Sequence, residues 1–310
     1  MKIYHNFSEF KKLNNAVATI GTFDGVHYGH QKIIKRLFEL AKSNGGESVI
    51  LTFFPHPRMI IDPENQDLKM INTIHEKAKI LEELGVDHLI ITPFTRDFSN
   101  LSPEEYIKNI LVDTIGIKHL IVGYDHRFGK DRKGGLKELE DLSEVLEYKI
   151  EEIPEQDIDD VAVSSTKIRK ALLNGEVALA ANYLGYNFSL SGRVIKGDKI
   201  GRTIGFPTAN LFVEETYKLI PSDGIYAVTV RMEEGFFKGM AYIGQRPTIN
   251  GMTRNIEVNI FDFNKEIYGQ DITMTFLEFL RHDVKFTGLE ALKEQLQKDK
   301  EDTLAYFNKM

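Results

Sequence analysis

The sequence of 310 residues contains no cysteine, and this absence removes several kinds of chemistry at once. Disulfide bonds, thiolate metal sites and a cysteine nucleophile are all impossible. No apolar run approaches the ~18 residues of a membrane-spanning helix, and the N-terminal residues lack the apolar core of a signal peptide. We therefore expect a soluble protein of the cytoplasm with no membrane partner.

Basic residues are also fewer than acidic ones. Lysine and arginine total 39 against 46 aspartates and glutamates, which gives a net charge of -7. This balance argues against nucleic-acid binding driven by overall charge, but it leaves room for a local basic pocket that binds a phosphorylated small molecule. The length predicts roughly two domains at the usual ~100–200 residues each.

Short runs rich in Val, Ile and Leu alternate with amphipathic stretches through the first 185 residues. Such alternation favours a parallel sheet with helices on both faces. Capping boxes of the form Ser/Thr-x-x-Glu at Thr73 and Ser102 indicate two helix starts. The predicted strands are 16–20, 47–54, 88–93, 118–123 and 148–153, and two short helices are predicted at 165–174 and 177–185.

The pattern changes after Gly185, where strand-like runs follow one another without helices between them. Consecutive strands separated by Gly, Pro, Asn and Asp predict an antiparallel sandwich or barrel. We therefore place a domain boundary here and expect domains at 1–185 and 186–310. The predicted strands are 188–196, 225–232, 236–244, 256–263 and 271–280, followed by a helix at 287–307.

The segment from Thr19 to His30 carries the first chemical signal. A predicted strand ends at Ile20, a loop rich in Gly and Asp follows, and His27 and His30 lie where a helix begins. Such a loop suits phosphate, because the helix N-terminus offers free N–H groups and a partial positive charge. Two histidines three residues apart are usually structural, but their position after this loop favours a phosphate site. The sequence contains neither a P-loop nor a dinucleotide-binding Gly-x-Gly-x-x-Gly run.

Two motifs in this half resemble the nucleotidyltransferase superfamily. His27-x-Gly-His30 is similar to its first signature, and Val163-Ser-Ser-Thr-Lys-Ile-Arg169 is similar to an Ile-Ser-Ser-Thr-x-x-Arg second signature, with Val in the first place. The longer stretch 21–31 resembles the FAD synthetase module of bacterial bifunctional riboflavin kinase/FAD synthetases. Segments 54–58, 98–105 and 122–134 also agree with that module, with His126 where the family has Phe.

The resemblance implies a Rossmann-like nucleotidyltransferase domain that transfers AMP from ATP to FMN, giving FAD and pyrophosphate. His27 and His30 would stabilise the ATP phosphates, and no general base is needed because the FMN phosphate is already a nucleophile. The implied ATP and phosphate contacts are Gly21, Phe23, Asp24, Ser164, Ser165, Thr166 and Arg169, and the implied flavin contacts are Phe54, His56, Asp125, Arg127 and Phe128. Structural alternatives stay open for several of them: a loop cap for Asp24, an ion pair for Asp125 and Arg127, and a loop-shaping role for His56.

A second constellation lies in residues 191–210, which are dense in glycine, cations and small polar groups. Glycines permit a close approach of the backbone to a ligand, and the cations suit phosphate, although an ordinary charged hairpin loop has the same composition. The stretch from Gly205 to Asn210 resembles the riboflavin kinase signature Gly-x-Pro-Thr-Ala-Asn. The resemblance implies ATP or phosphate contacts at Lys196, Gly201, Arg202 and Gly205, with Lys196 where the family often has His.

The same resemblance implies that Thr208 and Asn210 bind Mg²⁺ together with ATP, and hard oxygen ligands suit this ion. A riboflavin kinase also needs a base, because the 5′-hydroxyl of riboflavin is neutral and loses a proton as it attacks. Glu257 lies in a predicted strand at the place of the family's catalytic glutamate. Without the motif it would be interpreted as an exposed strand residue.

We therefore expect a bifunctional enzyme with an α/β N-terminal domain and an all-β C-terminal domain of riboflavin kinase barrel type, closed by a C-terminal helix. Its substrates would be riboflavin, FMN and ATP, its metal Mg²⁺, and it would have no nucleic-acid partner. One alternative is a related enzyme that acts on another phosphorylated acceptor, but the kinase-like second half argues against it. The other is a flavin sensor or storage protein, which has little use for a base or for metal ligands.

Overall fold

A computed structural model describes residues 1–62, 68–124, 126–154, 163–197, 200–248 and 251–309. The chain divides into two units, Met1–Ser165 and Thr166–Met310. Our sequence-based boundary after residue 185 stays a prediction. Within the described ranges, no helix is both long enough and apolar enough to cross a membrane.

Six parallel strands form the sheet of the first unit, in the order β1-β4-β3-β2-β5-β6. The predicted parallel sheet is confirmed, and β1 is an additional strand at its edge. The strands are Lys2–Tyr4 (β1), Ala16–Ile20 (β2), Glu47–Phe53 (β3), His88–Thr92 (β4), Ile117–Gly123 (β5) and Lys149–Ile153 (β6).

Both faces of this sheet are covered, which explains why its central strands have near-continuous apolar runs. Alternate residues of β2 point to opposite faces. Ala16 and Ala18 pack in a core with Leu111, whereas Val17 packs on the other face with Leu37 and residues of the following helices.

The helices of the first unit begin where the sequence supplies caps. The capping boxes at Thr73 and Ser102 are both present, and Pro103 occupies the first turn after Ser102. A π-helix, Tyr106–Ile115, continues from that turn. The α-helices are Tyr28–Ser43 (α1), Pro57–Ile61 (α2), Ile74–Glu83 (α3), Arg96–Ser99 (α4), Pro103–Glu105 (α5) and Leu136–Ser143 (α6), with short 3₁₀ turns at Phe7–Glu9 and Lys130–Arg132.

Six antiparallel strands close into a barrel in the second unit, in the cyclic order β10-β11-β8-β7-β12-β9. The predicted antiparallel architecture is confirmed as a barrel, and the short strand β8 joins the five that the pattern predicts. The strands are Ser189–Ile195 (β7), Ala209–Phe212 (β8), Gly224–Met232 (β9), Gly235–Thr248 (β10), Gly251–Ile260 (β11) and Asp271–Arg281 (β12), and the helices are Ser165–Leu173 (α7), Val177–Leu184 (α8), Ile200–Thr203 (α9) and Leu289–Lys309 (α10).

The C-terminal helix α10 packs on the barrel through an ion pair. Arg281, at the end of β12, makes two hydrogen bonds of 2.7 Å with the carboxylate of Asp299, which is buried in the helix. Leu296 and Leu304 pack nearby against a cluster of buried apolar side chains from the barrel. The predicted final helix is thus confirmed, and it packs through this ion pair and an apolar interface.

Candidate active sites

The first site lies at the carboxyl ends of β2 and β5, where the order of the sheet reverses. From β2 the chain builds β3 and β4 on one side, and then returns to the other side of β2 for β5. Open α/β sheets bind ligands in the crevice at such a switch point. The loop 21–27 follows β2 at this place, and the segment that begins at Tyr124 follows β5.

His27 and His30 stack against each other at the start of α1. Their ring centroids are 3.6 Å apart, and the rings are inclined by 18°. His27 is the N-cap residue: its Nδ1 accepts the backbone N–H of His30 at 3.4 Å, which leaves its proton on Nε2 as a donor. The Nδ1 atom of His30 is buried and makes no hydrogen bond with the described part of the chain.

Both imidazoles are held in the neutral form. Burial lowers the pKa of His27 to about 4. The pKa of His30 is lowered well below its ordinary value, first by burial, then by repulsion from His27 when that ring is protonated, and then by the charge of Lys77. At neutral pH the pair therefore offers hydrogen bonds to phosphate rather than positive charge.

The loop between β2 and α1 has an unusual backbone. Phe23 and Val26 adopt positive φ angles of 44° and 36°, on either side of Gly25 at 84°. The Phe23 ring is buried and packs edge-on against His30, with 5.2 Å between centroids. A Cβ atom at Gly21 would lie 3.1 Å from that ring, so Gly21 provides its space. The buried side chain of Phe23 thus supports the loop from the protein interior.

Asp24 faces the protein interior, with its carboxylate accepting the backbone N–H of Ile71 at 3.0 Å and of Asn72 at 3.5 Å. It is 1% exposed. This geometry corresponds to the structural alternative, a cap that fixes the loop. Its contact with ATP stays a prediction.

Ser165 of the second signature segment is the last residue of the first unit. Its hydroxyl donates to the backbone oxygen of Asp24 at 2.9 Å, so it contacts the loop 21–27 within that unit. Ser164 precedes it, partly buried, whereas Thr166 is exposed and Arg169 is partly exposed, one turn along the helix. The roles of Ser164, Thr166 and Arg169 toward pyrophosphate stay predictions.

Three of the predicted flavin residues have structural contacts of their own. Nδ1 of His56 accepts the N–H of Arg58 at 3.2 Å and caps α2. The Arg127 guanidinium passes over Gly135, where a Cβ atom would lie 2.1 Å away. Phe128 is buried and packs beside Tyr106. Phe54 follows β3, partly buried against the core on the α1 side, and Asp125 lies outside the described residues.

The second site forms on the barrel where β8 and β11 pair. Asn210 lies directly opposite Glu257, so their side chains share one face of the sheet. The Thr208 hydroxyl donates to Oε2 of Glu257 at 2.6 Å, and the Asn255 amide donates to Oε1. Thr208, Asn210 and Glu257, which the sequence predicts for kinase chemistry, therefore lie close together where β8 and β11 pair.

Glycines bring the preceding loop against this face. A Cβ atom at Gly197 would lie 2.3 Å from Nδ2 of Asn210, and one at Gly201 would lie 2.2 Å from the backbone oxygen of Phe206. Gly205 has a φ of 87°, which a glycine adopts at little cost. Lys196 is exposed in this loop, and Arg202 is exposed on the short helix α9. The pocket beside Thr208 is lined by Arg202, Pro207, Phe263, Lys265 and Tyr268.

The matches to known proteins cover both sites. Residues 9–167 match the FAD synthetase family, and residues 184–307 match the riboflavin kinase family. A protein named bifunctional riboflavin kinase/FMN adenylyltransferase from Listeria monocytogenes is 39% identical over 297 residues, with 96% of this chain and 94% of the relative covered. The chain belongs to this bifunctional family.

Further relatives with that name extend the match. The Haemophilus influenzae protein is 38% identical, with 96% of both chains covered, and the Bacillus subtilis protein is 36% identical, with 95% of this chain and 93% of the relative covered. A crystal structure from Streptococcus pneumoniae, described as a macrolide-efflux protein, is 32% identical with a TM-score of 0.88, and the match covers 97% of this chain and 98% of that one. Membership of the riboflavin kinase/FMN adenylyltransferase family confirms the expected bifunctional enzyme, whose substrates and products include ATP, FMN and FAD.

Sequence reasoning missed two residues at these sites. Lys77 is buried on α3, and its Nζ donates to the backbone oxygen of Thr22 at 2.6 Å, directly below the first loop. Its signal was a lysine on the same helix face as the buried Ala78 and Leu81.

The other missed residue is Tyr242, which lies opposite Glu257 on β10. Its hydroxyl donates to Asp283 at 3.0 Å, and its pKa is raised above the usual range by burial and then by the Asp283 charge. A Cβ atom at Gly244 would lie 2.0 Å from that hydroxyl, so Gly244 makes space for it. Pairing of the predicted strands 236–244 and 256–263 could have identified Tyr242, because cross-strand partners share a face of the sheet.

Proposed function

We propose that residues 1–185 transfer AMP from ATP to FMN and that residues 186–310 phosphorylate riboflavin. The difference between the two sites supports this assignment of one activity to each half of the chain. The first has a neutral histidine pair at a helix N-terminus, and the second has a carboxylate, Glu257, hydrogen-bonded to Thr208. These arrangements suit a charged nucleophile and a neutral nucleophile respectively.

In the kinase step, Glu257 acts as the general base. The 5′-hydroxyl of riboflavin gives its proton to the carboxylate as its oxygen attacks the γ-phosphorus of ATP, and the bond to the ADP oxygen breaks. Thr208 and Asn210 hold the phosphates beside the base. The Asn255 amide donates to the other carboxylate oxygen and orients it.

In the adenylyl-transfer step, no base is required. A phosphate oxygen of FMN attacks the α-phosphorus of ATP, and the bond to pyrophosphate breaks, so the protein has to position the groups and stabilise charge. His27 and His30 donate hydrogen bonds to the ATP phosphates from the N-terminus of α1. Ser164, Thr166 and Arg169 hold the leaving pyrophosphate.

Mg²⁺ fits the second site by the chemistry of its donors. The Thr208 hydroxyl and the Asn210 amide oxygen are hard ligands that would hold the ion together with ATP oxygens. Both residues lie beside the Glu257 carboxylate, which adds a negative charge close to the donors. When bound, Mg²⁺ supplies charge neutralisation at the transferred phosphoryl group.

We also propose that the enzyme acts in the cytoplasm on small molecules, without a nucleic-acid or membrane partner. An experiment has to distinguish this function from two alternatives. One is an enzyme whose first site uses an acceptor other than FMN, and the other is a flavin sensor without turnover.

The test is a time course with riboflavin, ATP and Mg²⁺ in which flavins are separated by chromatography. We expect FMN to appear first and then to give way to FAD, and a chelator of Mg²⁺ to stop the formation of both. FMN without FAD, even when FMN is supplied directly, would contradict the assignment of the first site. The absence of both products would favour a binding protein.

A further inference from the structure

Lys77 is a buried cation that the proposed mechanism does not use. Its side chain is 7% exposed, and its ammonium donates to the backbone oxygen of Thr22 at 2.6 Å. The Thr52 hydroxyl donates to the same oxygen at 3.3 Å. Burying a lysine costs free energy that an apolar residue of similar size would avoid, so its presence requires a reason.

The start of α3 holds the loop 21–27 at two points. The Asp24 carboxylate accepts the backbone N–H groups of Ile71 and Asn72, just before the helix, and Lys77 reaches Thr22 from its first turns. The capping box at Thr73 fixes where this helix begins. Helix and loop are therefore connected on both sides of Phe23.

The loop needs such support because its backbone is strained. Positive φ angles are costly for residues with side chains, above all for a β-branched one, and the loop has them at Phe23 and Val26. Such conformations persist only where the surroundings fix them. Here the result is that His27 caps α1 and stacks on His30.

We propose that Lys77 is a positioning residue for adenylyl transfer, which holds the loop 21–27 in the conformation that presents His27 and His30 to ATP. This inference rests on the proposed function of the first site. The charge of Lys77 has a second consequence, since after burial and the His27 charge it also lowers the pKa of His30. Burial lowers the pKa of Lys77 itself to about 8, against the opposing effect of Asp24.

Three substitutions separate the hydrogen bond from the charge. Lys77→Met removes both, Lys77→Gln removes the charge and keeps a donor, and Lys77→Arg keeps both. Lys79→Met is the matched control, because Lys79 is exposed on the same helix. We expect kcat/KM for FAD formation from FMN to fall about 10- to 100-fold in Lys77→Met and to change less than about twofold in Lys79→Met. Lys77→Gln should lie between these two.

The pH profile supplies a measurement that a purely structural role would not change. In the unsubstituted protein, FAD formation should decline as pH rises through about 8, where Lys77 loses its proton. Lys77→Arg should stay active to about pH 9.5, because arginine keeps its charge there. A profile that is flat in both proteins, or that declines equally in both, would overturn the inference.

Two outcomes separate this inference from the proposed function. If His30→Ala abolishes FAD formation while Lys77→Met retains it, Lys77 has no positioning role and the site stands. If His30→Ala retains FAD formation, the proposed site itself is wrong. Should Lys77→Met fail to fold, the pH profiles of the unsubstituted protein and Lys77→Arg still decide.

Discussion

The two sites differ in what their nucleophiles need. FMN has a charged phosphate, and the first candidate site has two neutral imidazoles and the backbone N–H groups of a helix start. Riboflavin brings a neutral hydroxyl, and the second site has a carboxylate with donors on both oxygens. The proton on the attacking group therefore determines whether a site needs a base.

The largest effect is expected from removal of the proposed base, which should stop one reaction and leave the other unchanged. Glu257→Gln keeps the size and the polarity of the side chain but removes the acceptor for the riboflavin proton. We expect FMN formation to fall about 10²- to 10⁴-fold, with FAD formation from FMN unchanged. Measuring both rates on the same preparation checks this, and a parallel loss of both would refute the separation.

Removal of one imidazole tests the role of the first site. His30→Ala should lower FAD formation from FMN about 10²- to 10³-fold, because one preorganised donor to the phosphates is lost. Riboflavin phosphorylation should be unchanged. His75→Ala, at an exposed position on α3, is the control. If His30→Ala slows both reactions equally, the imidazole is not specific to adenylyl transfer.

A glycine can be used to disturb the second site without touching its base. Gly197→Ala places a Cβ atom where Asn210 now lies, so the asparagine must move. We expect a loss of about tenfold in riboflavin phosphorylation and none in FAD formation. Gly288→Ala is the control, because no atom lies within 4 Å of its Cβ position. Equal rates in both variants would show that Asn210 need not be held there.

The neutral histidines also make the first unit sensitive to acid. His27 has a pKa of about 4 when folded and an ordinary value of 6.5, so the unfolded chain binds the extra proton between these values. Stability should therefore fall as pH drops from about 6.5 to 4, by up to about 1.4 kcal/mol per pH unit from His27. Hydrogen exchange of β2 amides measures this stability, and His27→Gln should reduce the slope of the unfolding free energy against pH. An unchanged slope in that variant would contradict the role of His27.

The smallest effect is expected at the tyrosine beside the base. Tyr242→Phe removes the hydrogen bond to Asp283 and keeps the ring opposite Glu257. We expect a change of less than about tenfold in the KM for riboflavin, with kcat nearly unchanged. Asp283→Asn should have a similar effect. A fall in kcat comparable to that of Glu257→Gln would place Tyr242 in the chemistry itself.

The sequence predicted most of the architecture because its long apolar runs and capping boxes are local signals. It missed β1 and β8, which have three and four residues and too little pattern to identify. Strand β8 also places Asn210 at a buried position, which a hydrophobic pattern does not predict.

The residues of the two candidate sites could be predicted where they belong to a motif. They were harder to predict where their contacts join distant parts of the sequence. Thr208 and Glu257 meet across 49 positions of sequence, and only the motif connected them. Lys77 belongs to no motif that we identified, and its contact with Thr22 depends on how α3 packs below the loop. Asp24 had two interpretations, and its partners Ile71 and Asn72 are likewise distant in sequence.

Mixing the two inactive variants tests the central claim most directly. Glu257→Gln alone should convert FMN to FAD but form very little FAD from riboflavin, and His30→Ala alone should accumulate FMN. Because FMN can diffuse from one protein to the other, the mixture supplied with riboflavin, ATP and Mg²⁺ should form FAD. If the mixture forms none although each variant retains its remaining activity, or if either variant loses both activities, two independent sites are contradicted.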